Sequence, residues 1–197
     1  MTKGARATST LAIGCCVGFV VLATACASKE SQLKANIAEY NAERAPDKLL
    51  SRAGAFALVG DTARAEEYYA AALEAGAPDS KVVPALVEVC IRDGRYRAAI
   101  EYASPYVNRH PTDLRMRYVL GTLYQGIGDA RSARAQLEVV VGKSPEQPDP
   151  HYALAILLRD DAGDLVAADD QFREYLRLAP HGTHADEARA SLMRAVR

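Results

Sequence analysis

The chain reads as an all-α solenoid of about four helical hairpins closed by a C-terminal helix, and three observations carry that reading. The first is a period. Gly60, Gly94, Gly128 and Gly163 are separated by 34, 34 and 35 residues, and each is followed by a polar residue: Asp61, Arg95, Asp129 and Asp164. Five residues after each glycine stands Ala65, Ala99, Ala133 or Ala168, and four further on Tyr69, Ala103, Leu137 or Phe172. Pro78, Pro111, Pro145 and Pro180 then close the units. A sustained period of this length marks stacked supersecondary units. The second observation is that each unit holds two apolar stretches at helical spacing, split by the glycine. The third is composition: 49% hydrophobic residues, abundant Ala, three Phe and no Trp in 197 residues suit closely packed helices.

In chain order, residues 1–25 come first. They hold Lys3 and Arg6, no acid, and then an uncharged run of 15 residues from Leu11 to Ala25. A bilayer-spanning helix needs about 20 apolar residues, so the run reads as a secretion signal with a cationic start. Setting it aside leaves 172 residues with 22 basic and 25 acidic side chains, which moves the formal charge from −1 to −3. Cys26 ends the stretch Leu22-Ala23-Thr24-Ala25-Cys26, small residues before a Cys at the close of the apolar run. This resembles the lipobox of bacterial lipoproteins. The resemblance implies that the Cys26 sulfur takes a diacylglycerol, that residues 1–25 are removed, and that the new amine is acylated. Ordinary secretion with cleavage near Ala25, or a retained helix, are the other readings. Leu11-Ala12-Ile13-Gly14-Cys15 has similar residues, but the apolar run before Cys15 is too short for a signal. Two or more acyl chains anchor stably where one does not. Cys15 and Cys16 leave with the leader, and Cys90 is then the only free thiol, so no intramolecular disulfide is expected and the fold rests on packing.

Residues 26–45 are the expected lipidated start, with Leu33, Ile37 and Tyr40 forming a sparse apolar stripe. That stripe fits either a capping helix or a tether, and Pro46 separates it from the first unit. The units span 46–79, 80–113, 114–147 and 148–182. In the third, Val119, Leu120, Leu123 and Tyr124 line one helical face, and Ala133, Leu137, Val140 and Val141 another. Gly128 supplies the positive φ that ends the first helix. The recurrent Ala lets the two helices of a unit approach, and the closing Pro stops the second from continuing. A single hairpin cannot bury both faces, so neighbours stack. Pro105 falls inside the second helix of its unit and should kink it or free a carbonyl. Residues 183–197 begin with Thr183-His184-Ala185-Asp186, which has the pattern of a capping box. They predict a terminal capping helix with Ala188, Leu192 and Val196 inward and Arg189, Arg194 and Arg197 outward.

The repeat pattern, over about residues 46–182, resembles the tetratricopeptide repeat. The third unit fits best, with Leu120-Gly121-x-x-Tyr124 ahead of Gly128-Asp129 and Ala133. The first has Arg52-Ala53 where a Leu-Gly or Leu-Ala pair is usual, and the second puts Cys90 where the third has Tyr124. The fourth carries an extra residue, placed near Pro148, so its first helix is expected to slip by one. The resemblance implies a right-handed α-solenoid whose concave side, lined by the first helix of each unit, holds a protein or peptide partner.

Charge and motifs exclude most other functions. A near-neutral chain lacks the clustered basic surface that nucleic acid requires. Gly121, Gly126 and Gly128 precede no Lys-Ser or Lys-Thr, so they are not a phosphate loop. Ser31-Gln32-Leu33-Lys34 matches a penicillin-recognising pattern without its companion motifs. Asp160, Asp161 and Asp164 lack the alternating spacing of a calcium loop, His181 and His184 lack further metal ligands, and Cys90 sits on an apolar stripe. No catalytic residue, metal or cofactor is therefore expected. The concave face offers Glu88, Ile91 and Arg92 in the second unit, and Arg115, Tyr118, Thr122 and Gln125 in the third. Tyr152 and Arg159 follow in the fourth. Tyr and Arg are the types enriched at interface hot spots. The Lys and Asn set with which some repeat proteins clamp an acidic peptide terminus is missing. The expected function is a non-enzymatic adaptor or assembly scaffold, held at a bacterial membrane by its acyl chains. Ala27 after Cys26 implies the outer membrane, facing the periplasm, where one exists. An envelope enzyme with a hidden site, a peptidoglycan-associated factor and a self-associating structural protein are the alternatives. The oligomeric state is not legible.

Overall fold

The structure, a computed structural model, describes residues 16–161 and 163–193. Most of the cationic leader, and Arg194, Val196 and Arg197 of the expected terminal helix, lie outside the described residues. The chain divides into two compact units, residues 1–45 and Pro46–Arg197. In the first, α1 (Cys16–Glu43) runs without a break past Cys26, whose side chain is not among those described. Leu33, Ile37 and Tyr40 on α1 are all at least half exposed. No helix among the described residues is long and apolar enough to cross a membrane.

The second unit is a run of antiparallel hairpins. They are α2 (Pro46–Leu58) with α3 (Thr62–Glu74), α4 (Asp79–Arg92) with α5 (Tyr96–Arg109), α6 (Leu114–Gly126) with α7 (Ala130–Lys143), and α8 (Pro148–Asp160) with α9 (Leu165–Leu178). The short α10 (Ala185–Ser191) packs on α9. Each helix packs against the next, and α6 also touches α8.

The hairpin turns follow from the repeated glycine and its polar neighbour. Gly60, Gly94, Gly128 and Gly163 all have φ between +65° and +79°, which an L side chain adopts only with strain. The amide after the glycine then donates back to the first helix: Asp61 to Phe56, Arg95 to Cys90 and Asp129 to Tyr124, each at 2.9 Å. Asp61, Asp129 and Asp164 next cap the second helix, accepting from the amides of Arg64, Ser132 and Ala167 at 3.1 Å. Arg95 cannot cap; its guanidinium instead pairs with Glu66 of the preceding hairpin at 2.6 Å.

The extra residue of the fourth repeat lies in its turn and not near Pro148. There the Asp164 amide reaches back six residues, to Leu158, where the other three turns reach back five. The first helix keeps its register, with Leu154, Ala155 and Leu157 buried as Leu120, Gly121 and Leu123 are 34 residues earlier. A turn absorbs an insertion at the surface, whereas a slipped helix would expose that apolar face.

Inside each hairpin, bulk is traded across the helix crossing. Gly121 faces Leu137, and a Cβ built on Gly121 would lie 3.0 Å from both Cγ and Cδ2 of that side chain. In the second repeat the same two positions hold Val87 and Ala103, buried in one cluster. A large residue on one helix is met by a small one on the other. Cys90, fully buried in that cluster, packs as a small hydrophobe, and burial pushes its thiol up.

α5 continues through Pro105, which takes the Glu101 carbonyl's helical donor away at an exposed position. α4 likewise contains Pro84, four residues after the exposed Ser80. The capping box at Thr183 does not form. α10 starts at Ala185 with His184 as its N-cap and no side-chain capping bond, and the His184 amide donates to the Tyr175 hydroxyl at 3.0 Å. Leu192 follows the helix in extended backbone and is partly buried against α9's cluster.

Candidate partner-binding groove

The first helices of successive hairpins, α4, α6 and α8, wall a groove of about 890 Å³. From α4 it takes Ser80, Pro84, Val87, Glu88 and Ile91, whose spacing places them on one helical face. Asp113 and, from α6, Arg115, Met116, Tyr118 and Val119 form the opposite wall, and the run Gln147-Pro148-Asp149-Pro150 closes the end. Beyond Tyr118 lies a second hollow of about 370 Å³, lined by Thr122 and Gln125 of α6, Tyr152, Ile156 and Arg159 of α8, and His184 and Glu187. Tyr118 lines both hollows and divides them.

The expected concave residues separate into those that face the groove freely and those already engaged. Glu88, Ile91, Arg115 and Tyr118 line the larger hollow; Thr122, Gln125, Tyr152 and Arg159 line the smaller. Arg92 lines neither. Its guanidinium donates to the Ala57 carbonyl at 2.5 Å and to Glu88 at 3.1 Å, joining α4 to the end of α2. Thr122 spends its hydroxyl on the Val119 carbonyl at 2.8 Å, back within its own helix. Tyr152 and Arg159 hold the C-terminal helix. The Tyr152 hydroxyl donates to Glu187 at 2.6 Å, and its ring stacks on His184 with centroids 4.0 Å apart. Burial, together with the bond to Glu187, pushes the Tyr152 phenol up to about 12. Arg159 reaches Ser191 at 2.7 Å and Asp160 at 2.6 Å.

Arg115 is different. Exposed on the groove wall, it makes no hydrogen bond or ion pair with another described residue, and neither does Asp149 in the same lining. Tyr118 is half-buried in the same wall, its phenol pushed up by burial and then by the Asp149 charge. A floor of Pro84, Val87, Met116 and Val119 with unspent charges at the rim can hold a chain segment by an apolar side chain and orient it by polar contacts. Val87, Met116, Val119 and Asp149 are groove residues that the sequence reading passed over. For Val87 the signal is present, since Ser80, Pro84, Val87 and Ile91 recur at intervals of three and four. Among the described residues, no group of three His, Cys, Asp or Glu side chains converges where a metal ion could sit.

Two buried polar residues nearby have their bonds taken up by packing around the fourth hairpin. His151, 3% exposed, bonds Gln171 at 2.8 Å and the Pro145 carbonyl at 3.0 Å. Asp169 takes Arg173 at 2.6 Å and the Met193 amide at 2.7 Å, which ties the end of the chain to α9.

No family model and no curated protein sequence matches the chain. Solved structures do match it in fold. YrrB, described as a TPR protein with an unusual peptide-binding site, superposes with a TM-score of 0.68 over 83% of this chain and 86% of its own, at 17% identity. MamA from Desulfovibrio magneticus does so with a TM-score of 0.63 over 72% of this chain and 79% of its own, at 21% identity. A tetratricopeptide repeat protein from Parabacteroides merdae gives 0.67 over 74% of this chain and 58% of its own, at 18% identity. With its helix order, its 34-residue register and these neighbours, the chain has the tetratricopeptide-repeat fold, a right-handed α-solenoid of helical hairpins with a C-terminal helix.

Proposed function

We propose that this protein is a non-enzymatic adaptor, anchored to a bacterial envelope membrane through acyl chains on Cys26, that captures a peptide or helix of a partner protein in the groove between α4, α6 and α8. The observation that carries the reading is the groove itself. It combines an apolar floor with an unpaired Arg115 and a half-buried Tyr118, groups that the fold does not use elsewhere. YrrB, of the same fold, is described as having a peptide-binding site. The lipobox-like Leu22–Cys26 stretch supports the anchor, and Ala27 supports release to an outer membrane facing the periplasm. Fixing a solenoid at a membrane by its N-terminus would raise the local concentration of its groove for envelope partners, and assembly of an envelope complex is the role that fits.

Two measurements test this. Metabolic labelling with a palmitate analogue should mark the wild-type chain and lose the mark in Cys26→Ala; label retained in that variant removes the anchor from the account. Arg115→Ala with Tyr118→Ala should weaken partner co-purification while leaving helicity intact, and undiminished recovery would show that another surface binds. A second reading, self-association, is favoured by one feature: Leu58 and Val59, at the first hairpin turn, are 89% and 77% exposed. A monomeric mass in solution counts against it.

A further inference from the structure

The larger hollow differs from the smaller in what it asks of a guest. Its floor is apolar, formed by Pro84, Val87, Met116 and Val119. Its polar rim consists mostly of acceptors. Glu88 is well exposed, and its one partner, Arg92, is an exposed ion pair of the kind that contributes little. Asp149 is exposed and has no partner among the described residues. Asp113 adds a third carboxylate, although its two oxygens already accept from the Met116 amide at 3.0 Å and the Tyr106 hydroxyl at 2.9 Å. A fourth acceptor comes from the backbone. Pro84 has no N–H, so the carbonyl of Ser80, four residues earlier on the same wall, lacks its helical donor. Against these stands Arg115, the one cation among the described residues that line this hollow. The rim therefore carries three carboxylates and one guanidinium, so its charge is net negative.

Resting on the groove-capture reading above, we infer that the partner segment is a cationic, apolar peptide: one or two bulky apolar side chains seated on the Val87–Met116–Val119 floor, flanked by Lys or Arg that meet Glu88 and Asp149. Arg115, the one cationic donor on the rim, then takes a backbone carbonyl of the guest, and Tyr118 ends the apolar seat. A segment rich in Asp or Glu would meet like charge at two exposed carboxylates with only Arg115 to compensate. Such complementarity governs encounter and selectivity more than total affinity, so it shows as a preference between guests. This preference is local. The chain as a whole carries a formal charge of only −1, so the net field does not supply it.

Three fluorescein-labelled 12-residue probes test the inference against the full-length chain in phosphatidylcholine nanodiscs, with empty nanodiscs as the blank. One has a Leu-Leu-Phe core flanked by four Lys, one the same core flanked by four Glu, and one the Lys flanks around a Gly-Ser core. By anisotropy at low salt, the Lys-flanked apolar probe should bind at least about fivefold more tightly than the Glu-flanked one, as two exposed pairs would give. It should also bind at least about fivefold more tightly than the Gly-Ser one, which has no apolar side chain to bury on the floor. The preference over the Glu-flanked probe should shrink at high salt, where exposed pairs are screened. It should vanish or invert in Glu88→Lys/Asp149→Lys, two exposed positions where substitution leaves the core untouched; circular dichroism confirms the fold. If the Glu-flanked probe binds as well as the Lys-flanked one and Tyr118→Ala weakens both, the cationic class is wrong while groove capture stands. If no probe binds, or Tyr118→Ala changes nothing, both fall.

Discussion

Gly121→Ala is the substitution whose outcome the geometry dictates most tightly. A methyl at that position would lie 3.0 Å from Cγ and Cδ2 of Leu137 and 3.4 Å from Cβ of Gln136. Leu137 is fully buried, so it has no solvent-side space in which to swing away. Overpacking of this kind costs about 1–3 kcal/mol. Replacing a mid-helix Gly by Ala returns roughly 0.5–1 kcal/mol of backbone entropy. The single change should therefore destabilise by about 0–2.5 kcal/mol net, which is a fall in Tm of up to roughly 10 °C in a chain of this size. The test that isolates the contact is the double-mutant cycle with Leu137→Ala. Alone, Leu137→Ala opens a cavity and costs about 2–5 kcal/mol. In its background the Gly121→Ala methyl has room, so it should stabilise by roughly 0.5–1 kcal/mol. The coupling between the two sites should thus be about 1–3 kcal/mol and favourable, as expected of residues in contact. Urea unfolding followed at 222 nm gives all four corners, provided the transitions stay cooperative. Additive effects, or a stabilising Gly121→Ala in the wild-type background, would refute the view that bulk is traded across each hairpin.

Other consequences can be checked separately. Asp113→Ala removes the cap of α6 and the acceptor of the Tyr106 hydroxyl together, and should cost about 1–2 kcal/mol by urea titration. Tyr152→Phe frees Glu187, so hydrogen exchange in α10 should accelerate roughly two- to tenfold while α2–α7 remain unchanged. Asp79 is held below its ordinary value of 3.8 by its bonds to His110 and then Arg109, which outweigh burial. At Asp169 burial pushes the carboxyl up, but Arg173 and the Met193 amide more than offset it and hold it low. For groups lowered in the folded state, the stabilisation is present above about pH 4 and is lost as pH falls through their folded values. Thermal midpoints measured from pH 7 down to pH 2.5 should therefore drop mainly below about pH 4, and Asp169→Asn should flatten the drop.

Much of this architecture was legible because it repeats. The Gly–polar pair, the crossing Ala and the closing Pro each have one physical job, and four copies make the job visible. The 3, 4, 3 spacing of Arg115, Tyr118, Thr122 and Gln125 likewise places them on one face, and all four line the hollows. What stayed hidden depends on neighbours about one repeat away. Helical spacing puts Arg92 on the concave face, but its guanidinium is bound to the Ala57 carbonyl, 35 residues earlier, and lines neither hollow. Arg159 and Tyr152 read as free groove residues until α10 brings Ser191 and Glu187 against them. Counting between glycines shows that the fourth repeat holds an extra residue but cannot locate it, and the expected place near Pro148 is not where it lies. The buried run Leu154, Ala155 and Leu157 locates it, in the turn that follows. A capping box at Thr183 has the right letters, yet α10 begins at Ala185 with His184 at its N-cap, one residue too late for that box.

The central claim is that the α4–α6–α8 groove is the surface that meets a partner. A photocrosslinking side chain placed at Ile91, 38% exposed in the groove, and another at Arg131, exposed at the start of α7, test it directly in cells. The account predicts a discrete protein adduct from position 91, lost when Arg115→Ala and Tyr118→Ala are added, and none from position 131. An adduct from position 131 alone, or one from position 91 that persists in the double variant, would contradict it.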